Sequence, residues 1–459
     1  MDDTKKMKDR ERLCSLASPK EVADAIKPLV EFGDRGMPLG EIDTLLKERL
    51  APHLMRYGSA SFQSMFNAFP EAGAALGAKF ALEWNQGVTN WQVSPGGAVL
   101  EEKSVKALIE LLGLSPNADG TYMYCGTYAN QQAIYLALHR HAEKCGFNLA
   151  EKGLCGFGEP SRLAIATSVD AHFSIRHAVR MLGLGEHSLI AIAVDKNRKI
   201  DPERLAEILD EQSGERNVFC VVATAGTTST GAVDPIDRLA NLTAKHSIWL
   251  HVDGAYGLAY KLVPGWTDLF HGVDRADSVS WDPHKQFGVP IPNSLLFARN
   301  TADFDRMALT SSYFNRDDSR GPNPGFKSAP STRPLAALPL VTSILHQGRA
   351  GVIERLKAPL LAIRDLAAYV SRQPDLELCH FPDTGILCFR LVRKNSNEAE
   401  LNALNKKIYQ AINETGERSI AITELDGRTV LRLVAISPKV SSSSLIETIE
   451  AIRAVGREL

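Results

Sequence analysis

The segment Trp249-Leu250-His251-Val252-Asp253-Gly254-Ala255-Tyr256 is followed later in the chain by Ala276-Asp277-Ser278-Val279-Ser280-Trp281-Asp282-Pro283-His284-Lys285. Both present one arrangement, a short apolar or β-branched run that ends in polar, chemically capable groups. Short runs of this kind, separated by helix-period sequence, are the signature of strands buried on both faces of a parallel sheet. Working outward, strands are predicted over residues 163–166, 189–194, 218–223, 248–252, 278–281 and 295–298. Helices fit between them over 130–144, 202–211 and 235–246, the second opened by Asp201-Pro202. This is an α/β pattern with a large, mostly parallel sheet, and ligands are expected at the carboxyl ends of its strands.

The flanks read differently. Ser18-Pro19 opens a helix on which Val22, Ile26, Leu29 and Val30 share helical spacing, with a kink at Pro28. Residues 52–98 are rich in Gly, Ala, Phe and Asn and read as loop and short helix. A helix over 101–112 places Val105, Leu108, Ile109 and Leu112 on one face, and Gly113 ends it. The Asp, Ser, Gly and Pro content of 317–330 predicts a mobile loop. A long helix over 352–372 bridges to a last region reading strand 386–391, helix 398–415, strands 419–423 and 430–435, and helix 443–455. The expected division is an N-terminal helical and loop segment (1–98), a large α/β domain (99–345) and a small α+β domain (346–459).

At 459 residues the chain is longer than one core supports. Charged residues are 23% and the net charge is −2, so neither a nucleic-acid nor a membrane partner is expected. No apolar run reaches the ~18 residues of a membrane span. The charged stretch Met1–Arg12 lacks the apolar core of a secretion signal. Seven scattered cysteines without a CxxC pair fit reduced thiols in the cytoplasm. No helix-spaced set of His, Glu and Cys suggests a metal site.

Five segments carry chemistry. Lys285 follows a strand, beside His284; a lysine that forms an imine needs a desolvated or cationic setting, and His284 could donate to a phosphate. Asp253 ends a strand, where a carboxylate can keep a pyridinium nitrogen protonated; a strand-end Asp is also a common turn or capping residue. His172, in Ser168-Val169-Asp170-Ala171-His172-Phe173-Ser174, could stack on a ring face or be a satisfied core imidazole. Tyr124-Cys125-Gly126-Thr127-Tyr128-Ala129-Asn130 opens a helix whose first N–H groups suit a phosphate. Ala223-Thr224-Ala225-Gly226-Thr227-Thr228-Ser229-Thr230-Gly231 offers hydroxyls to a ring substituent, or forms a polar turn. Together they supply a phosphate cradle, a stacking ring, a ring-nitrogen acid and an imine lysine.

These segments resemble the group II pyridoxal-phosphate decarboxylases, which include glutamate, aromatic amino acid and cysteine sulfinate decarboxylases. The similarity spans about residues 50–455. It rests on NWQVSPGGAVLE (90–101), CGTYAN, DAHFS, ATAGTTSTGAVDPI, HVDGAYG, ADSVSWDPHK and VLRL (430–433). The stretch 286–294 is similar to the glutamate and cysteine sulfinate branch. The resemblance implies the aspartate-aminotransferase fold (pyridoxal-phosphate fold type I), a homodimer, pyridoxal 5'-phosphate as cofactor, and decarboxylation of an amino acid substrate. By residue, it implies Lys285 for the covalent link, Asp253 for the ring nitrogen, His172 and Ala255 for the two ring faces, and Gly126, Thr127 and His284 for the phosphate. Thr227 is implied near the ring hydroxyl, and Arg333 at the substrate carboxylate, which a guanidinium fork suits. Trp91, with Phe62 and Phe66, could form an apolar substrate wall, although aromatics in a Gly-rich segment more often serve packing. The chain departs from the family at His177, where a Lys is usual, and at Gln286. It also has no tyrosine between Phe314 and Arg333, where the family carries one that helps return a proton; Tyr313 lies just before and Phe326 within. That departure keeps an aldehyde-forming reaction, a transamination or a carbon–carbon lyase open as alternatives.

Overall fold

Seven strands form the central sheet of the computed structural model, which describes residues 12–211, 215–310 and 321–459. In chain order, with the helices that punctuate them, these are α1 (Ala72–Trp84), α2 (Pro95–Leu112), β1 (Asp119–Met123), α3 (Gly126–Lys144), β2 (Leu163–Ser168), α4 (Phe173–Met181), β3 (Leu189–Ile192), α5 (Pro202–Glu211), β4 (Asn217–Thr224), α6 (Ile236–Lys245), β5 (Trp249–Asp253), β6 (Ser278–Trp281) and β7 (Ser294–Ala298). The spatial order is β1-β7-β6-β5-β4-β2-β3. The ladders β3–β2, β2–β4, β4–β5 and β5–β6 are parallel, whereas β7 runs antiparallel to both β6 and β1. This is the expected mostly parallel α/β architecture of fold type I.

The strands stay buried because their apolar residues pack into helices on the faces. Val222, Trp249, Ile165 and Leu296 share a core with Ile134, Leu138 and Val179. β6 contains two serines and is nevertheless fully buried, because each hydroxyl has a partner on β5. Ser278 meets Trp249 and His251, and Ser280 meets Asp253. β1 escaped the sequence reading, since Asp-Gly-Thr-Tyr-Met has little apolar signal. It is held instead by pairing along the whole of β7, and Gly120 lies against the Phe297 ring.

Residues 66–360 and 380–386 make up this unit. Residues 66–98, read from sequence as part of an N-terminal segment, therefore lie within it. They contain α1, a thirteen-residue helix where loop and short helix were expected. Its pattern is inverted relative to an ordinary amphipathic helix. The small residues Gly73, Ala74 and Gly77 are buried, while Leu76, Phe80, Leu82 and Trp84 are exposed. A Cβ built on Gly73 would stand 2.5 Å from the Thr342 carbonyl oxygen and from His346 Cβ, so the helix backbones touch directly. Of residues 317–330, expected to be mobile, 317–320 lie outside the described residues and 321–330 are instead packed. Gly325 N–H donates to the Thr89 carbonyl at 2.7 Å, and Lys327 pairs with Asp119 at 2.6 Å.

The second unit contains the described residues up to Met65 together with Leu361–Cys379 and Leu387–Leu459. Its sheet has the order β10-β11-β9-β8, with β8 (Leu376–Leu378), β9 (Ile386–Leu391), β10 (Ala421–Leu425) and β11 (Arg428–Val434). The helix α7 (Ala337–Val370) leads into it, longer than expected and interrupted at Gly348 (φ 64°, ψ 169°). Helices α8 (Glu398–Glu414) and α9 (Ser442–Glu458) cover the sheet through Leu404, Ile408, Leu445, Ile449 and Ile452. The N-terminal residues join this unit through backbone bonds. Leu13 N–H donates to Gly416, Gln63 N–H to Ser419, and Val434 N–H to Gln63. Between them, the helices Pro19–Ile26 and Leu39–Leu45 bury no residue at all.

Gly73→Ala is expected to destabilise the protein by about 1–3 kcal/mol through overpacking against backbone. Leu76→Ala, on the outer face of the same helix, is expected to change stability by no more than about 0.5 kcal/mol in the isolated chain. Chemical denaturation of the two variants measures the difference.

Candidate active site

Asp253 ends β5, at the carboxyl edge of the parallel strands, and is 5% exposed. One carboxylate oxygen, Oδ2, accepts from Asn130 Nδ2 at 2.8 Å. The other, Oδ1, accepts from the Ala255 N–H at 3.1 Å and from Ser280 Oγ at 3.4 Å. Its main-chain oxygen accepts from Ala225 N–H at 2.8 Å, which docks the 225–232 turn beneath it. All these donors are neutral. Among the described residues no lysine or arginine pairs with Asp253, whereas Asp119, Asp277 and Asp303, equally buried, each meet one. A buried carboxylate supported by neutral donors is stabilised as an anion and suited to receiving a cationic N–H from a ligand.

Lys285 lies in the loop after β6 and is partly buried. Its Nζ is 3.1 Å from Asp282 Oδ2 and 5.3 Å from the Phe66 ring centre. Asp282 is 3% exposed; its Oδ1 accepts from Ser294 Oγ at 2.6 Å, and its Oδ2 lies 3.7 Å from His284 Nε2. His284 Nδ1 donates to the Asn293 carbonyl at 2.6 Å, and burial lowers the affinity of this imidazole for a proton. With Nδ1–H committed, Nε2 can donate to an anion once it carries a proton.

Helix α3 begins at Gly126, beside this cluster. Cys125 precedes it and gives no side-chain cap, so the first-turn N–H groups are not satisfied from within the N-cap residue. A Cβ on Gly126 would stand 2.8 Å from Asp282 Oδ2 and 3.3 Å from Ala255 Cβ, so a side chain here would fill the space at the helix start. Thr127 is the next residue of that turn and is half-buried. A second helix start, that of α4, is capped by His172, whose Nδ1 accepts from Ser174 N–H at 3.2 Å. Burial depresses the proton affinity of His172, opposed by Asp253, reinforced by Lys285, and opposed again by Asp282. The imidazole is thus neutral at pH 7 and lies within the field of all three.

The structure therefore brings Lys285, Asp253, His172, His284, Ala255, Gly126 and Thr127 to one set of strand ends and helix starts. The geometry fits pyridoxal phosphate. It offers an uncapped helix start with no Cβ for a phosphate, a buried anion lacking a cation for the ring nitrogen, and an amine for the aldehyde. Three other residues named from sequence are engaged elsewhere. Thr227 is fully buried, shares a hydrogen bond with Thr230 at 2.8 Å and accepts from Ala232 N–H, so its hydroxyl closes its own turn. Trp91 is partly exposed, with its ring beneath Gly321.

Arg333 requires a correction. Its Nε donates to the Val88 carbonyl at 3.1 Å, and its Nη atoms reach Ser328 and the carboxylate of Glu101. Both members of the pair are 4% exposed or less. Burial raises the proton affinity of Glu101, and the adjacent guanidinium opposes that. The arginine expected to meet a substrate carboxylate already holds a protein one. Arg333 also borders a cavity of about 1200 Å3 lined by Tyr124, Tyr128 and Met181, and neither Lys285 nor Asp253 lines it.

Sequence reasoning missed Asn130, His251 and Asp282 as members of the site, although all three stand within the quoted segments. A polar residue inside an apolar run, as His251 is in β5, was the signal available. Of the aromatic candidates, Phe66 is the one near Lys285, packed on Tyr256 with ring centres 4.8 Å apart; Phe62 is buried in the other unit, bridging Ser419. Tyr313 and Phe314 lie outside the described residues, and Phe326 sits in the turn Pro324–Phe326.

The sequence matches the pyridoxal-dependent decarboxylase conserved domain over residues 26–392. It is 31% identical to L-2,4-diaminobutyrate decarboxylase of Rhizobium meliloti across 92% of this chain and 84% of that protein. It is 26% identical to human acidic amino acid decarboxylase GADL1, across 98% and 87%. Among solved structures, the glutamate decarboxylase domain of the diaminobutyrate-pyruvate transaminase and L-2,4-diaminobutyrate decarboxylase from Vibrio parahaemolyticus superposes with a TM-score of 0.87 at 25% identity, covering 98% of this chain and 91% of that one. Mouse CSAD gives the same TM-score at 24% identity, over 98% and 95%.

Arg333→Gln would leave Glu101 buried without its cation and is expected to cost about 3–5 kcal/mol of stability. Denaturant titration decides it: an arginine devoted to substrate would leave the unfolding free energy unchanged.

Proposed function

The chain belongs to the pyridoxal-dependent decarboxylase family, and from that premise we propose a role for each residue of the site. The protein is a pyridoxal-phosphate enzyme, a carboxy-lyase acting on an amino acid. When bound, the cofactor supplies an electron sink for the pair left on the α-carbon as carbon dioxide departs. The protein's own groups do the rest. Lys285 Nζ provides the amine for the covalent link, and Asp282 Oδ2, at 3.1 Å, positions that nitrogen. Asp253 holds a proton on the ring nitrogen. The Gly126 and Thr127 N–H groups, with His284 beside them, bind the phosphate. Neutral His172 and Ala255 flank the ring, and Phe66 shields Lys285 from water. Orienting the scissile carboxylate across the ring plane favours its loss over other bond cleavages.

The observation that supports this reading most is Asp253, a buried anion whose protein partners are all neutral. The relatives are named as decarboxylases of diaminobutyrate, acidic amino acids, aromatic amino acids and cysteine sulfinic acid. The substrate of this chain is one of these classes, and the similarity of residues 286–294 favours a non-aromatic one.

A homodimer in a reducing compartment, the cytoplasm, completes the proposal. None of the seven cysteines forms a disulfide. Among the described residues, no helix is long and apolar enough to cross a membrane. The outer row Leu76, Phe80, Leu82 and Trp84 on α1 is exposed apolar surface suited to a second copy.

The holoenzyme is expected to release carbon dioxide, with the matching amine, from one amino acid of a panel containing diaminobutyrate, glutamate, aspartate, cysteine sulfinate and the aromatic residues. Lys285→Ala is expected to lose both this activity and the absorbance of the lysine-bound cofactor. A keto acid or aldehyde product would contradict the reaction, and an unchanged spectrum in the variant would contradict the lysine.

A further inference from the structure

Beneath Asp253 runs a chain of hydrogen bonds that the roles above do not use. Trp249 Nε1 donates to Ser278 Oγ at 2.8 Å. Ser278 Oγ lies 2.8 Å from His251 Nδ1, and His251 Nε2 lies 2.9 Å from Asn130 Oδ1. Asn130 Nδ2 donates to Asp253 Oδ2 at 2.8 Å and to Ser174 Oγ at 2.9 Å. Asn130, His251, Ser278 and Trp249 are each 2% exposed or less.

The direction of every bond follows from the inventory of donors. A carboxylate accepts, so the Asn130 amide nitrogen faces Asp253 and its carbonyl oxygen faces His251. A carbonyl accepts, so His251 Nε2 carries the hydrogen. Burial pushes the imidazole's pKa down to about 4, so it is neutral at pH 7 and Nδ1 is bare. Nδ1 therefore accepts from the Ser278 hydroxyl, whose oxygen accepts from Trp249. The donors all point one way, toward the carboxylate.

We propose that His251 and Asn130 are positioning residues for the cofactor, forming with Ser278 and Trp249 a one-way relay that locks the Asn130 amide with its N–H group toward Asp253. Reversing that amide would set an oxygen against the carboxylate and an N–H against an N–H. The relay keeps Asp253 a fixed, ionised acceptor whose remaining capacity faces the ring nitrogen. The same Asn130 nitrogen holds Ser174, in the first turn of the helix that His172 caps, so one amide sets both the ring-nitrogen acid and the stacking imidazole. This inference rests on the reading of Asp253 as the ring-nitrogen partner. The titratable groups facing Asp253 are His251 and His172, with Lys285 and Asp282 across the site. At the far end, Arg140 lies 4.0 Å over the Trp249 ring and is neutralised by Asp277 and Asp303.

The test compares His251→Leu, which keeps bulk and removes the donor, with His251→Gln, which restores an N–H toward Asn130. Two substrate-free readouts serve: the dissociation constant of pyridoxal phosphate from equilibrium dialysis, and the pH midpoint of the bound cofactor's absorbance. His251→Leu is expected to weaken binding about tenfold and to move the midpoint by about one unit, the equivalent change in proton affinity. His251→Gln is expected to recover most of both. Unchanged values in His251→Leu, or equal impairment of the two variants, would overturn the relay. If His251→Leu does not fold, Ser278→Ala takes its place, with a smaller shift in the same direction expected and no shift overturning the proposal. Wild-type protein that forms no lysine-dependent chromophore would sink the underlying reading instead, which separates the two failures.

Discussion

A carboxylate without a countercharge governs this structure. Removing an ionised group from water costs several kcal/mol unless charge or strong hydrogen bonds replace the lost hydration. Several other buried acids near the sheet recover that cost from cations, while Asp234 is held by the Ile200 and Thr224 N–H groups. Asp277 and Asp303 share Arg140, Asp119 takes Lys327, and Glu101 takes Arg333. Asp253 is given an amide, a main-chain N–H and a hydroxyl, all neutral. Each is worth about 1.5–3 kcal/mol when its partner is ionised, which holds the anion while leaving its charge available. A protonated heterocyclic nitrogen is the partner such a group lacks.

The fold supplies the opposite sign at the other end of the site. Parallel strands bring Asp253 and the Asp282–Lys285 loop out on the same edge, where helices α3 and α4 also begin. Helix starts carry positive potential and free N–H groups, so an anion such as a phosphate is drawn to Gly126 while the cationic ring nitrogen is drawn to Asp253. One flat ligand carrying both charges is aligned by that separation. Asp282 adds a further element, an anion next to Lys285 and His284 that keeps both basic groups in place at the phosphate end.

Much of this could be read from the residues. The apolar runs of β2 to β7 gave the sheet because strands buried on both faces need continuous apolar sequence, and Asp253, Lys285 and His172 stood out as polar groups at the ends of such runs. What escaped was whatever depends on partners distant in sequence. β1 has little apolar content and exists through β7. Helix α1 hides its buried face as glycine and alanine, because the neighbouring helix touches its backbone, so its large apolar residues point outward. The family resemblance puts Arg333 at a substrate carboxylate, and its acid, Glu101, is remote in the chain, so the pair could not be read from local sequence. Asn130 and His251 are ordinary residues until the sheet stacks one above the other. Residues 321–330 have loop composition but are tied to Thr89 and Asp119.

The central claim is that Lys285 and Asp253 grip opposite ends of one cofactor ring. Diffraction from the protein reconstituted with pyridoxal phosphate tests it most directly. The account predicts continuous density from Lys285 Nζ into the ring, with the ring nitrogen within hydrogen-bond distance of the Asp253 carboxylate and the phosphate at the first turn of Gly126–Lys144. A ring attached to a different lysine, or one whose nitrogen points away from Asp253, would contradict it.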